Sequence, residues 1–363
     1  MNERRYNFNP GPAALPLPVL EHAKETLVEL QAGGGMSIME MSHRGAVVEE
    51  LAAETQRLLL EAAGLGADYR ALFMGGGASA QFALAALNFL PPEKTADYVL
   101  SGSFAEKAWS EAGYLGRTRI AASTKPDGWR SVPDMRGLAV PGDSAYVHMT
   151  TNNTIEGTRF DEFPDTGDVP LIADMTSDLL GRRLDCSRFS LIYAGAQKNL
   201  GPAGITAVII REELLERASK SIPLIWRYET FAQNGSLYNT PPVHALYMMR
   251  LVLDWTAAQG GAAAMEKLNR AKAKLVYDAI DRSGGFYTGF ARKSDRSDMN
   301  ITWRMASEEL ERRFVRESEC AGFEGLAGHR SVGGLRASAY NAVPLEACRA
   351  LADFMDDFRR RNG

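Results

Sequence analysis

The chain has 363 residues, 45% of them hydrophobic and 24% charged, with a formal net charge of −4. That length suffices for a large core in two domains, and the mild acidity excludes a charge-driven partner such as nucleic acid or a membrane surface. Cys186, Cys320 and Cys348 are sparse and lack metal-ligand spacing, which predicts reduced thiols in a cytoplasm. Neither a signal segment nor a membrane span is expected.

Helical periodicity covers residues 17–31 and 46–63, with a glycine-rich loop at 32–45 between them. From about residue 70 to 210, short apolar runs alternate with helical or glycine-rich segments. The runs lie at 70–73, 98–100, 144–148, 171–173, 191–193 and 205–210, and a helix is predicted over 80–88. This is an α/β pattern around a mostly parallel sheet. Helices follow at 247–259 and 265–281. The end alternates strand-like runs (299–303 and 333–338) with helices (307–321 and 345–360). A smaller domain is placed from about residue 262 onward.

Three features carry chemistry. Lys198 sits between two apolar runs, at a turn crowded with Gly195, Ala196, Gly201, Pro202, Ala203 and Gly204. Burying an ammonium is costly, and a lysine among small side chains can become a nucleophilic amine suited to imine formation with a carbonyl, as with pyridoxal phosphate (PLP). By itself it also reads as a surface turn lysine. Asp174 ends the apolar run before it, at the carboxyl end of a strand, where α/β proteins collect functional groups. A carboxylate there suits the pyridine nitrogen of PLP; alone, it also reads as a turn residue. The third feature is the run MGGGASAQF at 74–82, which joins a strand to a helix. Its glycines and helix N-terminus suit a phosphate, although it has neither GxGxxG nor P-loop spacing.

These runs, with FNPGPA at 8–13, MSHR at 41–44, NTIEG at 153–157, GAQKNLGPAG at 195–204, YNTPP at 238–242 and GHRSVGGLRASAYN at 328–341, resemble the phosphoserine aminotransferase family. That family lies among the class V, fold-type I PLP enzymes. The resemblance runs almost end to end. It implies a mostly parallel seven-stranded sheet in a large domain (16–261), and a small α+β domain (262–363) joined by the N-terminal arm (1–15). It also implies a homodimer with a site shared across the interface. The activity implied is reversible amino transfer between phosphoserine and 2-oxoglutarate, giving 3-phosphohydroxypyruvate and glutamate, in serine biosynthesis. 4-Phosphohydroxythreonine, in pyridoxine biosynthesis, is a further substrate to consider.

By the same resemblance, Lys198 holds PLP and moves the α-proton, while Asp174 faces the ring nitrogen. Ala78, Ser79 and Gln197 belong near the cofactor phosphate, with Asn239 and Thr240 reaching it from the second subunit. Thr154 lies near the phenolic oxygen. Arg336 anchors the α-carboxylate, and His43, Arg44, His329 and Arg330 form the phosphate end. Two departures stand out. Phe104, in Ser101-Gly102-Ser103-Phe104, takes the place of a ring-stacking tryptophan, with less area and no indole N–H. Ser79 stands where some members carry an arginine. Two other readings remain open at this stage. One is a cysteine desulfurase or lyase on the same fold, which needs an exposed, mobile cysteine; Cys320 is expected to be packed. The other is a non-enzymatic phosphate-binding protein built on the glycine loop, which leaves Lys198 and Asp174 unexplained.

Overall fold

The computed structural model describes residues 4–30 and 34–363. Its centre is a seven-stranded sheet in the order Tyr69–Met74, Thr206–Arg211, Leu191–Gly195, Leu171–Asp174, Ser144–Thr150, Thr95–Leu100, Arg117–Ser123. All neighbours pair in parallel except Thr206–Arg211, which runs antiparallel to both of its own. That reversal follows from the short turn after Lys198, which leaves no room for a crossover.

The inner strands are buried throughout, so they read as continuous apolar runs rather than alternating ones. Alternate residues feed two cores. Val147, Met149, Ala173, Ile192, Ala194 and Ile209 face one side. Tyr98, Tyr146, Ile172, Tyr193 and Val208 face the other. A third cluster gathers Phe8 and Ala14 with Val276, Ile301, Trp303, Phe314, Phe323 and Phe358. It is built on a three-stranded antiparallel sheet of Thr288–Gly289, Asn300–Arg304 and Leu335–Ser338. The arm joins it through Tyr6–Asn7, paired in parallel with Phe323–Glu324.

The structure departs from the sequence expectations in several places. The first helix spans Leu17–Thr26, not 17–31. The Thr26 hydroxyl bonds back to the His22 carbonyl (3.0 Å) and meets the Tyr247 hydroxyl (2.9 Å). Beyond it, Val28 is 82% exposed, so its periodicity has no surface to pack on. The expected helix end at Gln31, and Ala32 and Gly33 of the loop, lie outside the described residues. Several elements escaped prediction, the two longest being a strand and a helix. The edge strand Arg117–Ser123 is mostly polar and only partly buried. The helix Ser103–Gly113 buries only Ala105, Ala108 and Ala112, a stripe too small to stand out in an apolar pattern. Cys320 is exposed, correcting its expected packing, because it occupies the last turn of Glu308–Cys320 on the solvent side. Among the described residues, no helix is long and apolar enough to cross a membrane.

One buried group makes stability sensitive to acid. His148 lies in the sheet with Nε2 2.7 Å from the Tyr193 hydroxyl, and burial pushes its imidazole from 6.5 down to about 3. Between those values the unfolded chain binds a proton that the folded chain refuses. Stability is therefore lost as pH falls from about 6.5 toward 3. His148→Gln is expected to flatten that loss, read as urea midpoints from pH 7 to pH 4; parallel profiles for variant and parent would contradict it.

Candidate functional site

The site lies at the carboxyl edge of the sheet, where Leu171–Asp174 ends, the chain turns after Leu191–Gly195, and Tyr69–Met74 passes into a helix. A cavity of about 300 Å³ opens there, the lower end of the usual range for small ligands. Lys198 reaches it while only 9% exposed. Its amine donates a short hydrogen bond to the Thr154 hydroxyl, and its Nζ is 5.8 Å from the Phe104 ring centroid. Burial lowers the amine to about 8. Asp174 opposes this shift, and the Arg336 cation adds to it.

Asp174 is 4% exposed and accepts the Thr176 N–H at 2.9 Å. Burial raises its carboxyl, while the bonds from Thr176 and the charge of Lys198 hold it down. A buried carboxylate with so few donors is suited to a positively charged partner in the cavity.

The glycine loop shapes the opposite wall. Gly76 has φ +88° and caps the helix Gly77–Phe89. The helix's first turn, Gly77, Ala78 and Ser79, precedes the bond from Ala80 N–H to the Gly76 carbonyl (3.2 Å). Helix geometry therefore leaves these N–H groups free for an anion. A Cβ on Gly76 would stand 2.4 Å from the Ala80 Cβ, in a backbone region that side chains rarely adopt. Gly76→Ala is expected to destabilise the fold by about 1–3 kcal/mol and to weaken anion binding. Urea unfolding checks the first effect and phosphate titration the second; an unchanged midpoint would contradict this account of the turn.

Nine of the predicted site residues line the cavity together: Ala78, Ser79, Phe104, Thr154, Asp174, Gln197, Lys198, His329 and Arg336. Arg336 is 4% exposed and donates through Nη1 to the Thr154 carbonyl at 3.1 Å. Burial pulls its guanidinium down. Five others stand outside the cavity in this single chain. Arg330 lines an open groove with Arg304 and Arg312. Arg44, Asn239 and Thr240 are exposed, and His43 is half-buried.

Sequence reasoning missed Thr150, Asn152, Thr176 and Ser177, which also line the cavity. The signal available was their position: polar residues directly following the apolar runs that end at the sheet edge. Cys320 does not line the cavity, which removes support from the desulfurase reading.

An amine and a carboxylate buried at a sheet's carboxyl edge, facing a helix N-terminus, define an α/β enzyme of the fold-type I class. The aminotransferase class-V family model matches residues 5–351. The chain is 54% identical to the phosphoserine aminotransferase of Lysinibacillus sphaericus, over 100% of both chains. The solved phosphoserine aminotransferase of Bacillus circulans subsp. alkalophilus superposes with a TM-score of 0.98, at 54% identity and full coverage of both. The Trichomonas vaginalis enzyme, described as PLP bound, gives 0.92 at 36% identity, covering 97% of this chain and 100% of that one. The chain belongs to the class-V aminotransferase family, in its phosphoserine aminotransferase group.

Proposed function

We propose that this chain catalyses reversible amino transfer between O-phospho-L-serine and 2-oxoglutarate, giving 3-phosphohydroxypyruvate and L-glutamate, with PLP as cofactor. The observation that carries the reading is the Lys198 amine, buried with Asp174 and facing the same cavity as a helix N-terminus and the Arg336 guanidinium. The donor set suits PLP feature by feature. First-turn N–H groups and the Ser79 hydroxyl suit its phosphate, Asp174 its ring nitrogen, Phe104 its ring face, and Lys198 its carbonyl. When bound, PLP supplies an electron sink for negative charge at the substrate α-carbon.

The remaining work belongs to the chain. Lys198, with its amine held near neutrality by burial, removes the α-proton and returns it on the next atom, as base and then acid. Thr154 orients that amine through its hydroxyl. Asp174 keeps a positive charge on the ring nitrogen, so that the sink stays deep. Arg336 grips the α-carboxylate with a planar fork. His329 and Arg330 receive the phosphate or the far carboxylate of glutamate, with His43 and Arg44 of the partner subunit.

We infer a homodimer on the same grounds. Asn239 and Thr240 are exposed, as groups completed by a second copy would be. The large domain is taken as 16–261, with 1–15 and 262–363 forming the small one, in a cytoplasmic protein with three free thiols. 4-Phosphohydroxythreonine, with the same two anionic ends, is a second substrate to assay.

The deciding experiment is the absorption spectrum of the PLP-loaded protein with phosphoserine and no keto acid. Bleaching of the visible band by phosphoserine, and far less by serine, is the expected result. A band indifferent to phosphoserine would overturn the substrate, and no band at all would overturn the cofactor.

A further inference from the structure

The segment that holds Thr154 also carries an acid with no part in the reaction. Glu156 is 1% exposed, and its two oxygens face different neighbours. Oε1 accepts the Ser103 backbone N–H at 2.8 Å and the Ser103 hydroxyl at 2.6 Å. Those donors begin the helix Ser103–Gly113, whose second residue is Phe104. Oε2 is buried with no partner among the described residues, and so is Arg336 Nε. Glu156 and Arg336 both line a cavity of about 20 Å³ that also borders His329.

The surroundings hold Glu156 firmly. The Thr302 hydroxyl donates to its carbonyl at 2.8 Å. A Cβ on Gly102 would stand 2.7 Å from Oε2 and 2.6 Å from Asn153 Oδ1, so the helix entrance is packed directly on the carboxylate. The charge of Glu156 also opposes the effect of burial on the Arg336 guanidinium. One carboxylate therefore touches the start of the helix that presents Phe104 and shares the wall of a small cavity with Arg336, whose Nε Thr154 leaves free.

We propose that Glu156 is a positioning residue that sets Phe104 and Arg336 relative to each other, the first through its bonds to Ser103 and the second through its charge across the small cavity the two residues share. The inference rests on reading Phe104 as the ring-stacking group and Arg336 as the carboxylate anchor of a phosphoserine aminotransferase. Two substitutions separate the two effects. Glu156→Gln keeps an oxygen for Ser103 but removes the charge facing Arg336, which has only donors to offer. Glu156→Ala removes both the Ser103 bonds and the charge.

In the PLP-loaded dimer, Glu156→Gln is expected to raise KM for phosphoserine and for glutamate about tenfold, with kcat within about threefold. The circular dichroism band of bound PLP should be unchanged in that variant. Glu156→Ala is expected to raise both KM values and also to shift that band and weaken PLP binding about tenfold. An unchanged KM in Glu156→Gln would overturn the proposal. So would a parallel fall of kcat, PLP binding and melting temperature in both variants, which marks general support of the fold. The unsubstituted enzyme is run alongside. If it fails to turn over phosphoserine, the functional reading falls and the inference with it. If it turns over and Glu156→Gln matches it, only the inference falls.

Discussion

Lys198→Ala is expected to abolish turnover, lowering kcat by at least about 10⁴-fold, because the same amine attaches the cofactor and moves the α-proton. Among the described residues, no other amine lines the cavity. Borohydride should fix PLP covalently to the parent protein and not to the variant. Stability should not fall with activity. The folded amine sits at about 8 against the ordinary 10.5, so between those values the unfolded chain holds a proton that the folded chain has lost. Stability therefore rises with pH across that window, and at pH 7 the buried ammonium is a net cost to folding. Removing it is expected to leave the melting temperature unchanged or raised, in line with functional groups that sacrifice stability. An alanine variant that retains turnover would overturn the assignment. One that loses turnover only together with its fold would contradict the stability argument.

Asp174→Asn is expected to lower kcat on the order of 10³-fold while leaving the cavity's shape intact. Asparagine still offers an oxygen to the Thr176 N–H but cannot hold a positive charge on the ring nitrogen. A second signature follows from the electrostatics. Asp174 is the main influence opposing the burial of Lys198. Without it, the amine falls below about 8, and the pH midpoint for PLP attachment to the cofactor-free protein moves down with it. The parent's midpoint is expected near 8. Loss of activity with an unmoved midpoint would detach the aspartate from the lysine; full activity would detach it from the ring.

Much of the site was legible because its chemistry is local. Lys198, Asp174 and the Gly75–Gly77 run each stand at the end of an apolar run, and such ends converge at the carboxyl edge of a parallel sheet. The Ser103–Gly113 helix was not legible, because its buried face is alanine, and burial rather than hydropathy identifies it. Nor was the end of the first helix at Thr26, which depends on the Tyr247 hydroxyl from a distant helix. Cys320 was misjudged for a related reason. A helix C-terminus gives no side preference in sequence, and the packing of its other face left this thiol in solvent.

The sequence by itself determined the α/β class, six of the seven strands of the main sheet in chain order, and the residue types that can bind an anion, a cationic ring and a carbonyl. Periodicity and side-chain chemistry are properties of short segments. Only the tertiary structure decided that Thr206–Arg211 pairs with the distant Tyr69–Met74 as well as with Leu191–Gly195. The same is true of the Thr154 contact with the Lys198 amine, and of the Glu156 bonds to Ser103 at the start of the Phe104 helix. Those relations join residues far apart in the chain, and burial gives them their strength: desolvation lowers the lysine and raises the aspartate, and no spacing in a linear sequence encodes it.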